Sequence, residues 1–138
     1  MATQACLLLA SATMLASCTS SAPSSRTVDA RKDALLEKTD LTALRDACRA
    51  AIVKYGSPGV KHLKLDDERI PPIVRRLEPT DVVLVQNYLR VEMGGPGLYY
   101  GVEAFRDRLT QVPYPTAREL LEGLWYYETT AAIDRYPK

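Results

Sequence analysis

The spacing of apolar residues predicts one strong amphipathic helix in the first half of the chain. Thr39 or Asp40 can cap this helix, and apolar side chains then recur every three or four residues on one face: Leu41, Leu44, Ala47, Cys48, Ala51, Ile52 and Tyr55. We expect Gly56 to end the helix as a left-handed cap, with Pro58 preventing its continuation. Cys48 falls on the buried stripe, so we interpret it as a packed structural thiol.

The second half of the chain has the composition and alternation of β-strands. Four segments rich in β-branched, aromatic or alternating apolar residues qualify as strands, namely 81–85, 88–93, 98–105 and 124–128. A helix over 116–127 is the alternative for the last of them, but Gly123 and the aromatic cluster beside it argue against a helix.

The segment between the long helix and the strands shows a weaker pattern of secondary structure. Residues 56–70 are expected to be irregular, and Pro72 opens a short helix that runs to Leu77. The pattern therefore predicts an α+β fold, in which the N-terminal helix packs on a small antiparallel β-meander of about four strands.

The first eighteen residues have the features of an export signal. The run from Ala5 to Ala16 is apolar and uncharged, too short to cross a bilayer but of the length found in signal peptides. It leads into Leu15-Ala16-Ser17-Cys18, a sequence that resembles the lipobox of bacterial lipoprotein precursors. The resemblance implies removal of residues 1–17 as a signal peptide. It also implies a diacylglyceryl group on the sulfur of Cys18 and an acyl chain such as palmitate on the new amino terminus.

These features divide the chain into three parts. Residues 1–17 are the signal peptide, residues 18–38 are the lipidated cysteine and a polar tether, and residues 39–138 are a single α+β domain. The tether ends in a charged stretch that can form a short exposed helix. The resemblance makes the membrane a partner through Cys18. Thr19, which is not acidic, favours the outer membrane where the organism has one. Cys48 is then the one remaining cysteine, so the mature domain has no internal disulfide.

Composition is consistent with one soluble globular domain and narrows the partners. The 138 residues are 46% hydrophobic and 25% charged, with 18 Lys+Arg against 17 Asp+Glu and a net charge of +1. No long run of like charges occurs, which argues against nucleic acid as a partner and against membrane binding by charge alone.

The residues that usually carry chemistry do not form a catalytic or metal-binding motif. The single histidine, His62, lies in a charged segment and is interpreted as a solvated loop residue without a nucleophile partner. The three adjacent acids 66–68 lack the alternate spacing of a calcium loop, so we expect them to cap the short helix or to be solvated. A zinc site would need more His or Cys ligands. No catalytic residue, metal or cofactor is therefore predicted.

The carboxylates within the predicted strands are the basis of an alternative prediction, that the protein is an enzyme. Glu92, Glu103 and Glu128 each alternate with apolar neighbours, and we expect them to face solvent. A pair of converging carboxylates is what a small hydrolase would need, and Glu92 or Glu103 would then supply it.

Aromatic residues favour a binding role. Nine of the ten aromatic residues (eight Tyr, one Trp and one Phe) lie from Tyr88 onward. We expect some of them to form an exposed patch on the sheet, with Tyr99, Trp125 and Tyr126 as the candidate ligand-binding residues. The sequence thus predicts a non-enzymatic envelope lipoprotein that binds an envelope protein or a cell-wall glycan such as peptidoglycan. A small envelope hydrolase and a purely structural envelope component are the alternatives.

The strand stretch 77–105, followed by 123–128, is also similar to a pattern in small bacterial proteins. That similarity supports the predicted fold and gives no information about activity.

Overall fold

The computed structural model describes residues 25–37, 39–113 and 115–130, with the side chains of residues 25–29 excepted. The predicted signal peptide and Cys18 lie outside the described residues. The described elements, in chain order, are α1 (Ser25–Leu36), α2 (Leu41–Tyr55), β1 (Lys61–Leu63), α3 (Pro72–Arg75), β2 (Asp81–Leu84), β3 (Tyr88–Gly95), β4 (Leu98–Phe105), β5 (Arg118–Leu121) and β6 (Leu124–Thr129).

All six strands form one antiparallel sheet, in the order β1-β2-β3-β4-β6-β5. The first four strands make a meander. The last two form a hairpin that folds back, so that β6 lies between β4 and β5. The α+β class and the helix packed on an antiparallel sheet are confirmed, but the sheet has six strands rather than about four.

The two unpredicted strands are the short ones at the sheet edges. The β1 strand (KHL) has three residues and the β5 strand (RELL) has four, too few to show an alternating pattern. The helix considered over 116–127 is wrong, because that region is the β5–β6 hairpin. Gly123 occupies its turn with a φ of 77°, a conformation that glycine adopts at little cost.

The predicted amphipathic helix is α2. The Asp40 side chain accepts a hydrogen bond from the Ala43 backbone N–H (2.9 Å), which caps its first turn. Leu44, Cys48, Ala51 and Ile52 are buried on the expected stripe. The prediction of a left-handed Gly56 is wrong, since its φ is −61° and its backbone is extended. The position is nevertheless crowded, because a Cβ at Gly56 would lie 2.4 Å from the Ile52 carbonyl oxygen.

The α2 helix packs against one face of the sheet, which we call the helix face. Side chains that alternate along the strands meet it and form the main core: Leu63, Val82, Leu84, Leu89, Val91, Val102, Ala104, Leu124 and Tyr126. Two residues complete this core, namely Val74 of α3 and Ile70, which lies two residues before that helix.

The opposite side of the sheet, which we call the far face, is also covered in part. A second cluster lies there, made of Val83, Tyr88, Phe105, Ala117 and Trp125, with Leu109 packed against it. Because Leu109 and Ala117 come from the connection between β4 and β5, that connection covers one end of the far face.

The α1 helix lies within the segment that the sequence assigns to the tether, yet it contacts the domain. Leu35 and Leu36 are partly buried against the main core, and Arg31 forms an ion pair with Glu128 of β6. In the part of the chain that the structure describes, no helix combines the length and apolar character needed to cross a membrane.

Candidate functional site

Ionisable side chains from five strands converge on the far face. We call them the polar network; they are His62 of β1, Asp81 of β2, Arg90 and Glu92 of β3, Glu103 of β4 and Tyr127 of β6. The strand register brings them together, because residues paired across an antiparallel ladder point to the same face. Asp81 lies opposite Glu92, and Arg90 lies opposite Glu103.

The inner part of the network is a buried ion pair. Arg90 Nε lies 3.9 Å from Glu103 Oε1, and the two side chains are 4% and 0% exposed. Charges removed from water are costly unless they are paired and hydrogen-bonded, so this pair is stable only while both partners remain. Removal of either partner would therefore leave the other charge buried in the middle of the far face without its ion pair.

Glu92 and Tyr127 connect the inner and outer parts of the polar network, and Gly101 lies between them. Both lie opposite Gly101 of the strand between them. Neighbouring strands are about 4.8 Å apart, so the Tyr127 side chain must extend over Gly101 to reach Glu92. Burial raises the pKa of the half-buried Glu92 carboxyl, and the charge of Asp81 adds to the rise. Arg90, the Tyr127 hydroxyl and His62 lower this pKa without cancelling the effect.

The outer part of the network is a histidine–carboxylate pair at the sheet edge. His62 Nδ1 lies 2.7 Å from Asp81 Oδ2, and the two side chains are 67% and 29% exposed. When Nδ1 donates its proton to the carboxylate, the other ring nitrogen, Nε2, is the one that can accept a proton or a hydrogen bond. The predicted exposure of His62 is confirmed. Its predicted place in a loop is wrong, because it lies on β1.

The three aromatic residues proposed from the sequence are not brought together. Tyr99 lies on the far face and is partly exposed, whereas Trp125 is 8% exposed within the second cluster. Tyr126 lies on the helix face with 0% exposure, and its hydroxyl donates to Glu128 Oε1 at 2.7 Å. The expected exposed patch is therefore reduced to Tyr99. The ligand-binding role of the three residues stays a prediction.

The carboxylate side chains on the strands were predicted to face solvent, and this prediction is wrong. Glu103 and Glu128 are 0% and 1% exposed, and Glu92 is half-buried. The prediction was wrong because alternation identifies which residues share a face, while both faces of this sheet are covered. Glu92 and Glu103 share the far face, but Glu128 lies on the helix face beside Tyr126 and Arg31.

The remaining candidates from the sequence have structural roles. Cys48 is 0% exposed, which confirms that its thiol is packed in the core, and burial raises the pKa of this thiol to about 12. Hydrogen bonds from the Arg69 side chain and backbone lower the pKa of Asp67 to about 2. Across the described residues, no group of three or more His, Cys, Asp or Glu side chains is arranged to hold a metal ion.

A groove of about 780 Å³ lies on the helical side of the molecule, between α1, the start of α2 and α3. Leu35, Ala43, Ile73 and Leu77 supply much of its apolar lining, with charged residues such as Arg76 beside them. No member of the polar network lines it, so the groove and the network are separate features.

Three members of the network were not singled out from the sequence, namely Asp81, Arg90 and Tyr127. The sequence contained one indication of the network, because the alternation of 88–93 already places Arg90 and Glu92 on one face.

Comparison of the chain with protein-family models, with curated proteins and with solved structures finds no match.

Proposed function

We propose that the chain is an exported lipoprotein held in the cell envelope by lipid on Cys18. The proposal rests on the uncharged apolar run Ala5–Ala16 and on the lipobox-like Leu15-Ala16-Ser17-Cys18. Two or more acyl chains hold a protein stably on a membrane, so the domain would need no membrane-binding surface of its own. Thr19 favours the outer membrane where one exists.

The mass of the N-terminal peptide from the membrane fraction tests the anchor. A diacyl or triacyl mass on a peptide that begins at Cys18 is the expected result, and Cys18→Ala is the matched control that should lack it. An intact peptide beginning at Met1 in the wild-type chain would overturn the anchor.

The domain itself is proposed to be a non-enzymatic binding module for an envelope protein or a cell-wall glycan. The observation that carries this proposal is the outer edge of the polar network, where His62, Asp81 and Glu92 reach solvent on the sheet. Binding sites typically present a few polar groups held in place by a scaffold, and the buried Arg90–Glu103 pair supplies that support here.

The chemistry of this edge suits ligands with hydrogen-bond donors. Carboxylates and a neutral imidazole nitrogen accept hydrogen bonds from sugar hydroxyls or peptide N–H groups. Tyr99, on the same face, adds an aromatic ring with a polar tip. Both kinds of ligand occur in a cell envelope, which is where a lipid on Cys18 would hold the domain.

Two capture experiments with the full chain test this binding role. Peptidoglycan sedimentation detects a glycan ligand, and cross-linking in intact cells detects a protein ligand. We expect His62→Ala and Tyr99→Ala to lose capture, whereas Lys61→Ala, an exposed neighbour on the same strand, should retain it. Absence of capture by the wild-type chain in both experiments would overturn the binding role.

A small envelope hydrolase is the second candidate. Glu92 and Glu103 lie on neighbouring strands of the far face, Glu92 lies opposite Asp81 of the His62–Asp81 pair, and burial raises the pKa of Glu92. Groups whose environments separate their pKa values are the usual source of an acid and a base. Turnover of peptidoglycan fragments by the wild-type chain, lost in Glu92→Gln, would favour this candidate, and equal rates in the two chains would remove it.

A purely structural envelope component is the third possibility. It would show high copy number without capture or turnover.

A further inference from the structure

The α1 helix is held to the domain more weakly than α2. None of its described side chains is fully buried, and Leu35 and Leu36 are only partly covered, whereas α2 buries four residues. It has no acidic residue in its first turn and no basic residue in its last turn, so nothing there complements the helix dipole. An isolated helix of 12 residues is marginal in water, so α1 depends on its contacts with the domain.

Among the side chains of α1 that the structure describes, one forms an ion pair with the sheet. Arg31 Nη1 lies 3.4 Å from Glu128 Oε2, and the Glu128 side chain is 0% exposed. The other carboxylate oxygen accepts a hydrogen bond from Tyr126. Within the described part of the chain, Arg31 is the only cationic side chain within ion-pair distance of Glu128. The buried carboxylate therefore depends on a helix that is itself loosely attached.

Release of α1 removes the cationic partner of Glu128, a cost that water reaching the freed carboxylate would offset in part. When Arg31 leaves, water can replace it at Glu128, while the hydrogen bond from Tyr126 stays in place. The groove beside Leu35 would open at the same time, because α1 forms one of its walls. The four buried residues of α2 would keep their contacts with the sheet.

We infer that α1 is a releasable arm that sets how far the domain extends from its membrane anchor. This inference rests on the proposed lipidation of Cys18. At about 3.4 Å per residue, residues 19–24 span at most about 20 Å. Residues 19–39, freed when α1 is released, span at most about 70 Å. Docked and released forms would thus present the same domain at two distances from the membrane.

Hydrogen–deuterium exchange of the full chain tests the arm. We expect amides of α1 to exchange at least tenfold faster than those of α2. Arg31→Gln should raise α1 exchange about tenfold further, as expected for loss of a hydrogen bond to a charged group, and leave α2 unchanged. Arg31→Lys should restore part of the protection. The matched control is Arg45→Gln on α2, which removes an exposed pair with Asp46 and should leave α1 exchange unchanged.

Two outcomes would overturn the arm. In the first, wild-type α1 exchanges as slowly as α2. In the second, Arg31→Gln accelerates α1 and α2 equally, which would make α1 part of one cooperative unit. The measurement involves no membrane, so a failed arm is distinguishable from a failed anchor, which the mass of the Cys18 peptide decides separately.

Discussion

Replacing Tyr126 by phenylalanine separates a structural role from a ligand-binding role for this residue. The change removes one oxygen atom and leaves the ring in the main core. The Tyr126 hydroxyl donates to Glu128 Oε1 at 2.7 Å, and neither side chain is appreciably exposed. Burial raises the pKa of Tyr126 far above its usual value, so the hydroxyl remains a hydrogen-bond donor at every pH used in practice.

The expected cost follows from the charge and burial of the acceptor. A hydrogen bond to a charged group contributes about 1.5–3 kcal/mol, and a buried acceptor left without its donor loses most of that. The ring volume is unchanged, so no cavity cost is added, and Arg31 still pairs with Glu128. We expect Tyr126→Phe to lower the free energy of unfolding by about 2 kcal/mol, a large share of the roughly 5–15 kcal/mol typical of a domain.

Urea denaturation followed by tryptophan fluorescence measures this difference, since the single tryptophan, Trp125, lies next to the substituted residue. Tyr99→Phe is the matched control, because Tyr99 is partly exposed and should change stability by less than about 0.5 kcal/mol. A double-mutant cycle with Glu128→Gln should show coupling between the two positions. A Tyr126→Phe protein as stable as the wild type would refute the assignment of this hydroxyl to the core.

Three further predictions concern other parts of the sheet and the helix. Gly101→Ala should destabilise the domain by more than about 2 kcal/mol in the same denaturation experiment, because a Cβ there would lie 2.0 Å from the Val91 carbonyl oxygen; an unchanged midpoint would contradict the close approach of β3 and β4. Burial raises the pKa of Glu92 in the folded domain above its ordinary value of 4.5. The free energy of unfolding therefore increases as the pH falls through the raised pKa toward 4.5, whereas at pH 7 the ionised, half-buried carboxylate lowers it. Glu92→Gln should therefore increase stability at pH 7 more than at pH 5, and an equal effect at both pH values would argue against this reasoning. Burial raises the pKa of Cys48 to about 12, so its thiol should react with a maleimide only after unfolding; rapid labelling of Cys48 in the folded chain would be inconsistent with its packing.

The α2 helix was predictable because its burial repeats a local pattern. Asp40 supplies a cap, and Leu44, Cys48 and Ile52 recur at helical spacing, so both the start and the buried face can be read from neighbouring residues. The same holds for β3 and β4, where alternation correctly assigns Val91 and Val102 to one face.

The polar network was not predictable, because it depends on contacts between distant residues. His62 and Asp81 are 19 positions apart, and β1 is too short to show that it is a strand. The sequence shows Arg90 and Glu103 alternating with apolar residues, but not that a second layer covers their side of the sheet. The burial of that face is therefore seen only in the three-dimensional structure.

The place of β6 in the sheet has a consequence for how the chain folds. β6 pairs with both β4 and β5, and its residues enter both cores, with Leu124 and Tyr126 in one and Trp125 in the other. A strand in this position completes two interfaces at once, although it is the last of the described strands along the chain. A ribosome must therefore translate through Thr129 before either core can close. Until then both cores lack the side chains that β6 contributes.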